Sequence, residues 1–230
     1  MIHSLEQLKN LVLSAEDGDI GRSQDFLVDD RAWVVRYMVA DTGQWLPKRK
    51  VLVFSELLGA PDWDTSRIPL QMPKAQLEKA PGLDADAPVS RQYEIEYFSF
   101  FGQPFYWNDS ALGTRGRPAP AARGNDPSVE SVTKGHLRST TEISGYRVLA
   151  TDGEVGTVKD FLVDEEGWMV RSLVIDMGGA GSGRKIRLSP AWLGDVEWGL
   201  GTVVVHMTRD QLLKSSECDT ETENNPKKEK

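Results

Sequence analysis

The sequence predicts a mainly β protein: two small β-barrels in tandem, each ending in a short helix, joined by an aromatic helical insert. Three observations predict it. The chain is written twice without a gap, because DGDIGRSQDFLVDDRAWVVRYMVAD from Asp17 to Asp41 lies over DGEVGTVKDFLVDEEGWMVRSLVID from Asp152 to Asp176 at a constant offset of 135 positions. Within each copy, short runs rich in β-branched and aromatic residues are punctuated by turn signals. Between the copies stands PVSRQYEIEYFSFFGQPFYW (88–107), too aromatic for a solvated linker.

The offset persists through Arg49-Lys50 over Arg184-Lys185, Trp63 over Trp198, Met72 over Met207 and Gln76-Leu77 over Gln211-Leu212. This sets the domain boundaries: a first barrel over 1–80, an insert over 81–137, a second barrel over 138–215 and a charged tail over 216–230. Each copy opens with a strand, an Asp-Gly turn and a second strand, LVLSAEDGDIG with Asp17-Gly18 and YRVLATDGEVG with Asp152-Gly153. Asp and Gly tolerate the left-handed backbone that such turns need. A hairpin follows, FLVD to WVVRYMVAD and FLVD to WMVRSLVID, with Trp33 or Trp168 heading the returning strand. RKVLV (49–53) and RKIRL (184–188) give a further strand, and SRIPLQM (66–72) and GTVVVHM (201–207) another. Nearly continuous apolar runs in these strands argue for closed or half-closed barrels rather than an open sheet with one wet face.

A short helix ends each copy. Thr208 with Gln211 three residues on forms a capping-box pattern before RDQLLK, and Pro73 stands at the start of KAQLEKA, which stops at Pro81-Gly82. In the insert, Tyr93, Tyr97 and Phe101 recur at helical spacing after Ser90 as a candidate N-cap, with Glu94 and Glu96 assigned to other faces. Phe105, Tyr106 and Trp107 add to the same aromatic area. The segment 108–137 is rich in Gly, Pro, Ala and Arg and reads as extended or disordered, as does the polar tail.

Composition excludes several classes of function. Against 35 acidic residues stand 27 basic ones, a net charge of −8, the wrong sign for a protein held to nucleic acid by phosphate neutralisation. No stretch approaches the roughly 18–20 consecutive apolar residues of a membrane span, and no basic-then-hydrophobic leader opens the chain, so a soluble cytoplasmic protein is expected. The single cysteine, Cys218, permits neither an internal disulfide nor a thiolate zinc cage. The glycine run MGGAGSGRK (177–185) lacks the Lys-Ser/Thr ending of a phosphate-binding loop and leads into a strand. His3, His136 and His206 are not repeat-equivalent and show no metal-ligand spacing, and no nucleophile elbow is present. No catalytic residue, cofactor or metal is therefore expected, and the chain reads as non-enzymatic.

The string GYRVLATDGEVGTVKDFLVDEEGWMVRSLVID, with RKIRLSPAWL after it, resembles the PRC-barrel, the fold of the cytoplasmic domain of the photosynthetic reaction-centre H chain and of a domain in RimM-type ribosome-maturation factors. The resemblance implies a tandem two-barrel protein. In the H chain the barrel covers the cytoplasmic face of an electron-transfer complex and helps to conduct protons toward a quinone. The acidic residue associated with that path falls at Ala32 and Gly167, neither of which carries a proton. The RimM-type role depends on a separate amino-terminal domain, whose place is taken here by another repeat. The expected function is an adaptor that binds a protein complex, at the cytoplasmic face of a membrane by analogy with the H chain. Peripheral association rather than insertion is expected, and a second copy of the chain is one candidate partner. Its candidate surface is Trp45, Tyr93, Tyr97, Phe101, Phe105, Tyr106 and Trp107. The alternative is a small-ligand, proton or cation-handling module built on the repeated residues Asp25, Asp29 and Arg36 and their counterparts Asp160, Asp164 and Arg171. Against it, aspartates at strand ends commonly bind local backbone amides, and each arginine has an aspartate within reach as an ion-pair partner. A RimM-like assembly role is a further alternative.

Overall fold

The computed structural model describes residues 1–43, 45–46, 49–81, 89, 91–103, 105–106, 136–177 and 184–215. Trp107, Cys218, the segment 107–135 and most of the glycine run lie outside them.

Two antiparallel-rich sheets dominate. The first is assembled from β2 (Val12–Ala15), β3 (Gly18–Asp29), β4 (Val34–Asp41), β5 (Lys50–Phe54) and β6 (Arg67–Pro69), in the order β5-β4-β3-β2-β6. The second uses β8 (Arg147–Ala150), β9 (Gly153–Asp164), β10 (Val170–Asp176), β11 (Lys185–Leu188), β12 (Leu193–Glu197) and β13 (Thr202–Val205), in the order β11-β10-β9-β8-β13-β12. Helices α2 (Lys74–Lys79) and α5 (Arg209–Ser215) close the repeats, and α3 (Arg91–Phe101) is the insert helix. The Asp-Gly turns and the Thr208 capping box are present, while the candidate cap Ser90 lies outside the described residues. Gly18 and Gly153 have φ of 127° and 135°. Thr208 N–H donates to Gln211 Oε1 at 2.9 Å and Gln211 N–H donates back to Thr208 Oγ1 at 3.2 Å.

The barrels are not closed. Among the described residues, the two outer strands of each sheet do not pair with one another. In the first sheet the chain leaves β5 through a 3₁₀ turn (Ser55–Leu57) and meets the end of β6 at an isolated bridge between Leu58 and Leu70 rather than as a ladder from β5 itself. The long strand β3 pairs with β2 along its first half and with β7 (Leu137–Ser139) along its second, in the register Leu27↔Ser139 to Asp29↔Leu137. On its other edge it pairs with β4. The sheet thus includes a strand from the second repeat. In the same way β1 (Ile2–Ser4) pairs with β9. Neither short strand was expected from sequence, nor were the single-turn helices α1 (Leu5–Leu8) and α4 (Thr140–Ile143) that follow them. A capping signal was there to be read, since Ser4 Oγ accepts from Gln7 N–H at 3.1 Å.

Compactness divides the chain differently from the repeat. The first unit is Met1–Thr141 together with Val163–Val170, and the second is Glu142–Leu162 with the chain from Arg171 onward. Inside the first unit, segments of both repeats meet at equivalent positions. Val35 N–H donates to Trp168 C=O, and Val170 N–H to Trp33 C=O, both at 2.8 Å, on either side of a bridge between Val34 and Met169. Asp30 N–H donates to His136 C=O at 3.0 Å and Glu165 N–H to Met1 C=O at 3.2 Å, again 135 positions apart. Trp33 and Trp168 both hold φ near 53°, a left-handed backbone that costs a non-glycine residue about 1–2 kcal/mol. Both indoles are buried, and Trp168 stacks on Phe26 at 6.2 Å, so packing offsets the strain.

A protein whose first unit needs both repeats should survive cutting between them. With a protease site placed near residue 120, the cleaved halves are expected to co-elute on size exclusion under native conditions and to separate only in denaturant. Halves that separate without denaturant would contradict this assignment.

Candidate functional site

The repeated aspartates are mostly occupied by the backbone. Asp17 Oδ1 accepts from Lys74 N–H at 2.8 Å and its counterpart Asp152 Oδ1 from Arg209 N–H at 2.9 Å, so each caps the closing helix of its own repeat. Asp25 accepts from Ser139 Oγ, from Thr140 Oγ1 at 3.0 Å and from Thr141 N–H at 3.1 Å, at the start of α4. Asp160 Oδ1 accepts from Phe161 N–H and Asp164 Oδ1 from Gly167 N–H, both at 2.7 Å. Arg171 is exposed.

Asp29 differs. Its Oδ1 accepts from Arg31 and Ala32 N–H at 3.0 and 3.1 Å, but the carboxylate is 5% exposed and its Oδ2 faces Arg36 Nη2 at 3.6 Å and His136 Nε2 at 3.9 Å. From His136 a chain of hydrogen bonds runs into the unit. Nε2 lies 3.0 Å from Tyr106 Oη, which lies 2.8 Å from Glu94 Oε1, and the same oxygen accepts from Tyr37 Oη at 3.2 Å. A phenol has one proton to give. With that of Tyr106 donated to the carboxylate, His136 Nε2 is the donor to Tyr106. The guanidinium of Arg36 covers the Tyr106 ring at 4.1 Å. Burial pushes the Tyr37 phenol far above its ordinary range, with the Glu94 charge acting in the same direction.

Helix α3 supplies Glu94 and seats it by aromatic packing. Tyr97 and Phe98 are buried against Tyr37, Leu52 and Phe54, with ring centroids of Phe54 and Tyr97 5.0 Å apart, and Tyr97 Oη donates to the Leu52 carbonyl of edge strand β5. Tyr93, Phe101, Phe105 and Tyr106 pack around this cluster half-buried. Burial also pushes the Tyr93 phenol up to about 12. Of the aromatic candidates, Tyr97 therefore lies in a core rather than on a surface. Trp45 is half-buried in a separate place, with Lys74 Nζ 5.2 Å from its ring centroid. Contrary to the face assigned from spacing, Glu94 turns inward and is 1% exposed.

A second pair of contacts went unread in the sequence. Arg138 Nε bonds Asp30 Oδ2 at 3.2 Å, and His3 Nε2 approaches Glu165 Oε2 at 2.9 Å; His3 and Arg138 are repeat-equivalent, as are Asp30 and Glu165. The environments diverge. Burial pushes the Asp30 carboxyl up despite Arg138, whereas hydrogen bonds from His3 and the terminal amine hold Glu165 down. Among the described residues no group of three or more His, Cys, Asp or Glu side chains is placed to hold a metal ion, and no helix is long and apolar enough to cross a membrane.

The architecture so defined is a duplicated, antiparallel-rich β module with exchanged edge strands and a helix seated on one sheet. Within it, residues 136–212 match the PRC-barrel domain, so the second repeat with its opening strand is a PRC-barrel domain. The match does not extend to the first repeat, which forms a second β-sheet domain. No curated protein is significantly similar to the chain in sequence.

Removing the acceptor at the centre of the network tests whether it holds the insert. Glu94→Ala removes the acceptor of the buried Tyr37 phenol, at about 1–3 kcal/mol, and one of the two contacts of the Tyr106 hydroxyl, and is expected to lower Tm by roughly 3–10 °C. Glu94→Gln, which keeps an acceptor oxygen, should fall well short of that in thermal denaturation.

Proposed function

We propose that the protein is a non-enzymatic adaptor that binds a protein complex through its β-sheet units, a role analogous to that of the reaction-centre H-chain barrel at the cytoplasmic face of a membrane. The observation that carries this reading is the seating of α3. The outer face of β4 and β5 takes an aromatic helix, buries its rings and satisfies its polar groups, which is what a docking platform for a helix must do. The first repeat also resembles the PRC-barrel domain closely enough in its hairpin to be read as a diverged copy, with Phe26–Asp29 identical to Phe161–Asp164. A tagged full-length chain incubated with lysate of its source organism is expected to elute from size exclusion with a defined multi-subunit complex. Elution as a lone monomer would overturn the reading.

A second reading is favoured by one specific observation, the buried succession Asp29, His136, Tyr106, Glu94 and Tyr37, in which neighbouring groups from His136 onward lie within hydrogen-bond distance. Such a series supports proton handling, with Arg36 balancing Asp29. If protons are shared along it, Glu94→Gln will shift the NMR titration of the His136 imidazole, two hydrogen bonds away. An unchanged titration removes this reading and leaves a purely structural network.

A further inference from the structure

The two repeats diverge most tellingly on the sheet face that α3 covers in the first unit. There Tyr37, Leu52 and Phe54 are buried beneath the insert. At the offset of 135 the second unit has Ser172, Arg187 and Ser189 in their places. The backbone platform is retained. β10 and β11 pair in the register Leu173↔Leu188, Val174↔Arg187, Ile175↔Ile186 and Asp176↔Lys185, matching Met38↔Val53 to Asp41↔Lys50 in the first unit. Ile186 and Leu188 are buried on the inner face, which leaves Lys185 and Arg187 exposed on the outer one, beside a half-buried Val174. Asp176 stands across the ladder from Lys185, yet among the described residues neither Lys185 nor Arg187 has a carboxylate within ion-pair distance. Lys159, exposed on β9 where the first repeat has Gln24, adds a further charge without such a partner. Relative to the first repeat these positions gain two cations, in a chain whose net charge is −8.

Resting on the adaptor reading, we infer that this outer face of β10 and β11 is a second helix seat, and that its occupant is an acidic helical segment of a partner protein. The aromatic anchors of the first seat, Tyr37 and Phe54, are replaced by serines, and Leu52 by Arg187, which with Lys185 stays solvated until opposite charge arrives. The half-buried Val174 offers a single apolar contact, and Ser172 and Ser189 offer hydrogen bonds at the rim. Charge complementarity then sets partner choice and association rate, with Val174 as the apolar contact between the cations and the serines.

The test uses the full-length chain and a labelled alanine-leucine helical peptide carrying glutamates along one face, with its lysine twin and a single-stranded oligonucleotide as comparators. The glutamate peptide is expected to bind, to weaken at least about tenfold between about 50 and 500 mM salt, and to weaken similarly in Lys185→Glu/Arg187→Glu. The lysine twin should prefer that charge-reversed variant. All three residues are exposed, so an unchanged Tm verifies the fold, and Lys159→Glu alone provides a milder second variant. Absence of glutamate-peptide binding, binding indifferent to charge reversal, or tighter binding of the oligonucleotide would overturn the inference. Failure here is separable from failure of the adaptor reading. If the charge-reversed chain still elutes from lysate with the same complex as the unaltered one, this seat is wrong and the adaptor stands.

Discussion

Two reciprocal backbone hydrogen bonds, Val35 to Trp168 and Val170 to Trp33, are the constraint on which the rest of the structure depends. They force the hairpin tips of the two repeats into one compact unit, and they explain why both tryptophans hold a backbone conformation that an indole side chain ordinarily avoids. A residue in that conformation directs its carbonyl toward the neighbouring hairpin while its ring turns into the core. Glycine would relieve the strain but would bring no ring to bury. The edge of β3 is given to β7 and β9 accepts β1, so each long strand carries a short strand from the other repeat along its second half.

This arrangement also accounts for a misleading feature of the sequence. Strands β4 and β5 read as almost uninterrupted apolar runs, a pattern that arises when both faces of a sheet are covered. A closed barrel is one way to cover them, and a packed helix is another. Here α3 covers the second face, so the run VLVF is buried throughout. Its counterpart KIRL alternates between exposed and buried residues, and among the described residues no helix like α3 lies over it. The contrast between the two copies was present in the sequence, and physically it separates a barrel from a covered sheet: closure would have demanded the same pattern twice.

Much else was legible for local reasons. The gapless repeat, the Asp-Gly turns, the Thr208–Gln211 capping box and the helical spacing of Tyr93, Tyr97 and Phe101 each depend on residues a few positions apart, where side-chain chemistry and backbone preference agree. The Asp29–Arg36 ion pair belongs here too, since the hairpin alone brings them together. The buried network does not. Tyr37 and Glu94 are 57 positions apart, and Tyr106 and His136 are 30 apart. A lone histidine without metal-ligand spacing offers no signal of such a role. Helical spacing alone places Glu94 on a face other than that of Tyr93, Tyr97 and Phe101; a carboxylate is costly to bury, and the phenols of Tyr37 and Tyr106 that meet it help to offset that cost.

Duplication explains how one face could be committed and another left open. In a single module, a substitution such as Leu52 to Arg would have exposed the aromatic helix and stripped Tyr97 of its packing, so the seat and its occupant must change together. With two copies the constraint splits. The first copy kept Tyr37, Leu52 and Phe54 because α3 and the Glu94 network depend on them. The second, free of an insert, carries Ser172, Arg187 and Ser189 on the same backbone register at no cost to its inner core of Leu173, Ile175, Ile186 and Leu188. Surface positions of this kind tolerate substitution within about 0.5 kcal/mol, so stability alone exerts little pull on which residues stand there. What distinguishes the two faces is therefore the demand placed on each: the first must match a helix of its own chain, whereas the second carries serines and cations that its inner core does not require.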